Sequence, residues 1–410
     1  MPPGVSPAET NGRLHERLIQ FAPAYLERFG SRRPRRQQEV LQHLVTCRTA
    51  TLGGALFACP HCDTYHFRYH SCNDRHCPRC GQADADEWLA RQSAWLLPVD
   101  YFLVTFTVPE GLRSWLRSHP QLGYDALFAA SARALQDLAA NPQRLGAHLG
   151  MLGVLHTWSR TLIYHPHIHY VVPAGGLSPD GQQWIDSRRG FLVRVEPLSD
   201  HFRTCFRQWL EHQAPEAFAA IPAKVWKQRW VTHSQPAGSG QHVLRYLSRY
   251  VFKTATGDRV VPQLADGGLV WRYRESGTSR WQSLRIEPDE LLRRFLQHVL
   301  PAGFHRVRRF GWLHPSAKAK RQRIQSLLEG RGPDRVNYEP AVAAAAVDPD
   351  DIDPFDELEA PERWVEAQIL APVKLPVPPP LCPRCGQPMR CLGRWSRGGG
   401  LGARDPPAPL

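Results

Sequence analysis

Three Cys-x-x-Cys pairs, Cys59/Cys62, Cys77/Cys80 and Cys382/Cys385, constrain this chain more than any other feature. Composition alone predicts roughly 0.2 such pairs, so their presence calls for a cause. The opening "MPPGVSPAETNGRLHERL" has no basic start followed by an apolar run, which reads as a cytoplasmic chain. In that compartment paired thiols serve as metal ligands rather than disulfides. In "CPHCDTYHFRYHSCNDRHCPRC" the first two pairs are separated by 14 residues, a spacing that suits one tetrahedral zinc ion held by Cys59, Cys62, Cys77 and Cys80. Such a site is expected to be a structural staple. Cys72 and His76 stand as alternative ligands or as part of a second, incomplete site. Arg68, Arg75 and Arg79 leave nucleic-acid contact open. Cys382, Cys385 and Cys391 offer three thiols without an evident fourth ligand, whereas Cys47 and Cys205 read as small buried apolar groups.

Around the cysteines the periodicity changes along the chain. Residues 16–58 carry helical spacing, interrupted by the basic "SRRPRR", and "ADADEWLARQSAWLL" reads as a helix with acids in its first turn. Beyond it, strand-forming segments ("VDYFLVTFTVP", "HLGMLGVLHTW", "HIHYVVPAGG", "KQRWVTHS") alternate with helical ones. The expected class is α+β: a largely antiparallel central sheet with helices on one face, preceded by a small helical, zinc-binding domain. The divisions fall at 1–95, 96–328 and 329–410. The last is an acidic and Pro-rich linker ending in a small Cys-x-x-Cys module. No run of 18 apolar residues suggests a membrane span.

With 51 Lys and Arg against 38 acids, the net charge of +13 favours a polyanionic partner, nucleic acid first. The segment 301–325 has seven Lys or Arg, no acid, and interleaved Phe and Trp. In "LIYHPHIHYVV", strand alternation puts His167, His169 and Val171 on one face. The strand "MLGVLHTW" puts Leu152, Val154 and His156 on one face, so pairing the two would gather three imidazoles into a divalent-metal site. His165 precedes a proline and falls at the strand's edge. In "QHVLRYLSRYVFK", Val243, Leu247 and Val251 make an apolar stripe. Tyr246 and Tyr250 lie one turn apart beside Arg245, Arg249 and Lys253. A tyrosine can be a covalent nucleophile, and an imidazole-held ion can polarise a phosphate.

Taken in order, "SCNDRHCPRC", "LHTWSRTLIYHPHIHYVVPAGG", "VLRYLSRY" and "RFLQHVLPAGFHRVRRFGWL" resemble the HUH rolling-circle transposases of the two-tyrosine type, the insertion sequence ninety-one family. The resemblance spans about residues 15–325. It implies that His167-Ile168-His169 binds Mg²⁺ or Mn²⁺ and that Tyr246 and Tyr250 are the nucleophiles; the third ligand varies across the superfamily, and strand geometry makes His156 the expected one. It implies single-stranded DNA as partner, a 5′-phosphotyrosine intermediate and no nucleotide cofactor. Arg245, Arg249, Lys253, Arg306, Arg308 and Arg309 are the expected DNA contacts. Two alternatives stand beside it: a rolling-circle replication initiator or relaxase, and a non-catalytic zinc-containing DNA-binding protein.

Overall fold

Period-2 alternation of bulky apolar residues decides the middle of the molecule, as a computed structural model shows. It describes residues 11–80, 82–251, 258–275, 280–329 and 379–396. The side chains of residues 82–87, 246 and 248–251 lie outside that description. Two helices open the chain, α1 (Leu14–Phe29) and α2 (Arg35–Thr46), followed by the hairpin β1 (Gly53–Ala58) and β2 (Tyr65–Tyr69) and by α3 (Gln82–Ser93). Next come β3 (Asp100–Thr107), α4 (Glu110–Ser118), α5 (Pro120–Ala140), β4 (Gly150–Trp158), β5 (Tyr164–Pro173), β6 (Gly175–Leu177) and β7 (Trp184–Asp186). Then follow α6 (Val195–Gln213), α7 (Pro215–Ala219), β8 (Val231–Ser239) and α8 (Gly240–Val251). The remainder is β9 (Leu269–Arg274), β10 (Trp281–Ile286), α9 (Pro288–Leu296), β11 (Val307–Gly311), α10 (Lys318–Leu328) and β12 (Arg390–Ser396).

Five antiparallel strands form the central sheet in the order β11-β4-β5-β3-β8, so the histidine strand β5 is in the middle. Pro236 interrupts β8, which is tolerated because β8 is an edge strand with no second neighbour to bond. One sheet face presents Phe102, Val104, Phe106, Leu155, Ile168, Tyr170 and Val172 to α5 and α6, the largest core of the molecule. The Tyr170 hydroxyl in that core meets Ser131 Oγ at 2.8 Å, which satisfies a buried polar group.

The opposite face is also covered, which corrects the expectation of helices on one side only. Leu103, Leu152, Val154 and Val171 pack against Trp88 of α3 and against Val243, Leu244 and Leu247 of α8. Both sheet faces are apolar at this end, so each must be buried, and a single helical layer leaves one exposed. The strand expected at "KQRWVTHS" begins at Val231 and extends to Ser239.

A second core joins the N-terminal helices to later parts of the chain. Leu14, Leu18, Tyr25, Leu41 and Leu44 pack with Trp271 and Ile286 of the β9–β10 hairpin, with Leu291, Leu292 and Phe295 of α9, and with Trp158 and Leu162. His76, at the Cys-rich end, is clamped in one tautomer between Asp74 Oδ1 (2.8 Å from Nδ1) and the Leu300 N–H, which donates to Nε2 at 3.1 Å. The Cys-rich segment is thereby fastened to the turn after α9. Among the described residues no helix is long and apolar enough to cross a membrane.

Candidate active site and metal centres

Strand register builds the histidine cluster. His156 of β4 pairs with His167 of β5, and Val154 pairs with His169. Residues paired across an antiparallel ladder share a face, so the three imidazoles meet on the face that α8 covers. Their ring centroids are 4.6 to 5.2 Å apart, and their ligand atoms all lie within 4.8 Å of one another. His165 stays outside this group and contributes its carbonyl, which accepts the His167 Nδ1–H at 2.7 Å.

That bond leaves His167 Nε2 free to take a ligand, and it is buried with no hydrogen-bond partner among the described residues. Across the sheet, Thr105 Oγ1 bonds His169 Nδ1 at 2.8 Å, which fixes the orientation of the second ring. The Trp158 ring stacks on His156 at 5.2 Å. Burial keeps all three imidazoles neutral: His167 is pushed down to about 4, and His156 and His169 fall well below the usual histidine value. Neutral, oriented and converging imidazoles fit a divalent ion. Of the two expected ions, Mn²⁺ suits an all-imidazole donor set better than Mg²⁺, which prefers oxygen ligands.

Helix α8 carries the tyrosine pair. β8 runs from the histidine end of the sheet (Val231 opposite Thr107) to the far end (Ser239 opposite Asp100). α8 then doubles back over the histidine face, held by Val243, Leu244 and Leu247, each 2% exposed or less. The side chains of Tyr246, Arg249, Tyr250 and Val251, and the whole of Lys253, lie outside the described residues. Arg245 is half-buried on the same helix.

The cysteines group differently from the expectation. Cys59, Cys62, Cys77 and Cys80 do not surround one point; the first pair gathers with Cys382 and Cys385, and the second with Cys47 and Cys72. In the second group Cys47–Cys80, Cys72–Cys80 and Cys77–Cys47 are 3.5, 3.7 and 3.8 Å apart between sulfurs. Four thiolates around a tetrahedral ion at about 2.3 Å are spaced by about 3.8 Å, so these distances fit Zn²⁺ and are far too long for a disulfide. Cys47, expected to be an inert apolar group, belongs to this set. One signal for it was countable: eight cysteines apart from Cys205 and Cys391 make two complete sets of four, and no single cluster uses them all.

Three expected DNA contacts occupy unequal positions on and around β11. Arg306, only 4% exposed, is packed over the Trp158 ring and is a cation of the interior rather than the surface. A chain entering the sheet beside β4 points alternate residues inward, whatever their charge. Arg308 is held by Asp125 at 2.5 Å over the rings of Phe128 and Phe304. Arg309 lies over Trp95 in a groove that Arg91, Gln92 and His314 also line, and Arg321 lies over the same ring.

Comparison with known proteins turns this architecture into a class. Residues 18–108, which contain the first six cysteines, match a family described as "Transposase zinc-binding domain", of the insertion sequence ninety-one type. Residues 150–322, which contain the three histidines, α8 and β11, match a family described as "Putative transposase". The protein is therefore a transposase, a DNA-processing enzyme with a zinc-binding N-terminal part. It is 38% identical over 313 residues to "Putative transposase y4qJ" of Sinorhizobium fredii, covering 72% of this chain and 77% of that one. It is 28% identical over 294 residues to "Transposase for insertion sequence element IS801" of Pseudomonas savastanoi pv. phaseolicola, covering 67% and 70%. The chain belongs to the insertion sequence ninety-one family of transposases. No solved structure matches it.

Proposed function

We propose that this transposase nicks and rejoins single-stranded DNA through a covalent tyrosine intermediate, in the rolling-circle manner of the two-tyrosine enzymes it resembles. One observation carries the reading: three buried imidazoles gather on the sheet face that the tyrosine-bearing helix covers. In this reading His156, His167 and His169 hold Mn²⁺ or Mg²⁺, which supplies Lewis-acid polarisation of the scissile phosphate. Thr105 and the His165 carbonyl keep His169 and His167 in ligating orientation. One tyrosine of the Tyr246/Tyr250 pair attacks phosphorus through its hydroxyl oxygen and loses its proton. The bond from phosphorus to the 3′ oxygen breaks, leaving a free 3′-hydroxyl and a 5′-phosphotyrosine. The second tyrosine takes a second strand without release of the first, and a 3′-hydroxyl attacking the phosphotyrosine restores the DNA. The phosphoester energy is kept throughout, so no nucleotide is consumed. Arg245, Arg249, Lys253, Arg308 and Arg309 supply phosphate contacts.

The test is denaturant-resistant attachment of the full-length protein to single-stranded DNA that carries the element's end, with Mn²⁺ present. The double variant Tyr246→Phe, Tyr250→Phe abolishes the adduct, and His167→Ala reduces it to background. Undiminished adduct in the tyrosine variant removes the nucleophile assignment.

A further inference from the structure

The family matches end at residue 322, yet Cys382 and Cys385 lie against the zinc-binding domain. We infer that a second zinc ion, bound by Cys59, Cys62, Cys382 and Cys385, clips the C-terminal segment onto the N-terminal domain. Sulfur separations of 3.4 Å (Cys59–Cys385), 3.5 Å (Cys62–Cys382) and 3.7 Å (Cys62–Cys385) match the edges of a tetrahedral thiolate site, about 3.8 Å. All four are free thiols.

The two halves of the site share one construction. In the first, the Cys59 N–H donates to the Thr64 carbonyl at 2.9 Å and Asp63 takes a left-handed φ of 49°. In the second, the Cys382 N–H donates to the Gln387 carbonyl at 2.8 Å and Gly386 takes φ 74°. Each is a Cys-Pro-x-Cys turn folded back by a left-handed residue four positions after its first cysteine. Two matching knuckles face each other across the cluster, which is how a four-thiolate ion is enclosed. β12 then pairs with β1 from Gly53↔Ser396 to Ala58↔Arg390, which places β1 between two partners instead of at an edge. Cys391, on β12 opposite Phe57, points its sulfur toward the Gly393 carbonyl and takes no part.

The ligands Cys62 and Cys382 are 320 positions apart, so this ion closes almost the whole chain into a loop. Its binding energy is folding energy for the segment 379–396, which has little apolar area of its own to bury. Cys385 is exposed and Cys62 half-buried, so this ion exchanges with a chelator faster than the one among Cys47, Cys72, Cys77 and Cys80.

Metal analysis of the full chain tests the site independently of catalysis. In a His167→Ala background, which removes the imidazole cluster as a further zinc site, the chain and its Cys391→Ser variant carry two zinc ions, and adding Cys382→Ser, Cys385→Ser leaves one. Two zinc ions in the chain that lacks Cys382 and Cys385, or one in its His167→Ala parent, overturn the proposal. A protease site inserted after Asp350 gives a second readout. After cleavage the C-terminal fragment co-elutes with the rest of the wild-type chain and separates in the Cys382→Ser, Cys385→Ser variant. Co-elution in both, or separation in both, overturns the clip.

Discussion

The Asp74 carboxylate, 2% exposed at its side chain, is bonded by Arg36 at 2.9 Å, His43 at 2.9 Å and His76 at 2.8 Å. Burial alone would raise its pKa, but the hydrogen bonds from His76 and His43 hold it well below the usual carboxylate range. Removing one partner of such a buried group strands the others, so Asp74→Ala should cost about 3–5 kcal/mol, read from the denaturation midpoint. A loss under about 1 kcal/mol would mean the network is ornamental. Thr105 makes a narrower case. Thr105→Val keeps the shape of the side chain but removes its bond to His169 Nδ1. The expected result is a roughly 10–100-fold weaker Mn²⁺ affinity by calorimetry, since an unanchored imidazole must be ordered when the ion binds. Unchanged affinity would show that packing alone orients the ring.

Among the elements, α8 sets how the candidate chemistry is assembled, because among the described residues Val243, Leu244 and Leu247 hold it on the histidine face. Leu247 is fully buried there with Val154 and Val171. Leu247→Ala should cost about 2–5 kcal/mol through the cavity it leaves. If α8 carries the nucleophiles and the β4 and β5 histidines hold the ion, covalent adduct formation falls in this variant while Mn²⁺ affinity stays at the wild-type value. Equal loss of both would mean that the strands and the helix move as one unit. The amphipathic stripe of α8 was legible in the sequence. Its choice of sheet face was not, since an apolar stripe carries no information about which of two apolar faces it meets.

At the scale of the molecule, buried histidines couple folding to pH. Burial pushes His76 and His167 down to about 4, and His165 and His298 to about 3. Below the unfolded value of about 6.5 the unfolded chain takes up protons that the folded chain refuses, so stability falls as pH drops. The loss runs from about pH 6.5 to the folded values, at about 1.4 kcal/mol per pH unit for each histidine concerned. Thermal unfolding of Mn²⁺-free protein should therefore show a melting temperature that rises from pH 4.5 to 6.5 and then levels. His298→Gln should make that rise shallower without altering a metal ligand. A slope indifferent to this variant would place the acid sensitivity elsewhere, for instance in the thiolates.

The sequence by itself determined the elements and the types of site. Alternation placed β3, β4 and β5, and it put His156, His167 and His169 on faces that one antiparallel register brings together. Three Cys-x-x-Cys pairs implied thiolate metal sites, and helical spacing placed the tyrosine positions on one element. These are local properties: turn chemistry and periodicity act over a few residues and can be read over the same distance. The tertiary structure alone decided which thiols share an ion. Cys47 and Cys72 complete one set from within the N-terminal part, while Cys382 and Cys385 complete the other from the far end of the chain. It also turned Arg306 inward and put helices on both sheet faces. Such outcomes depend on how distant segments close on one another, and the spacing of a motif along the chain holds no record of that closure.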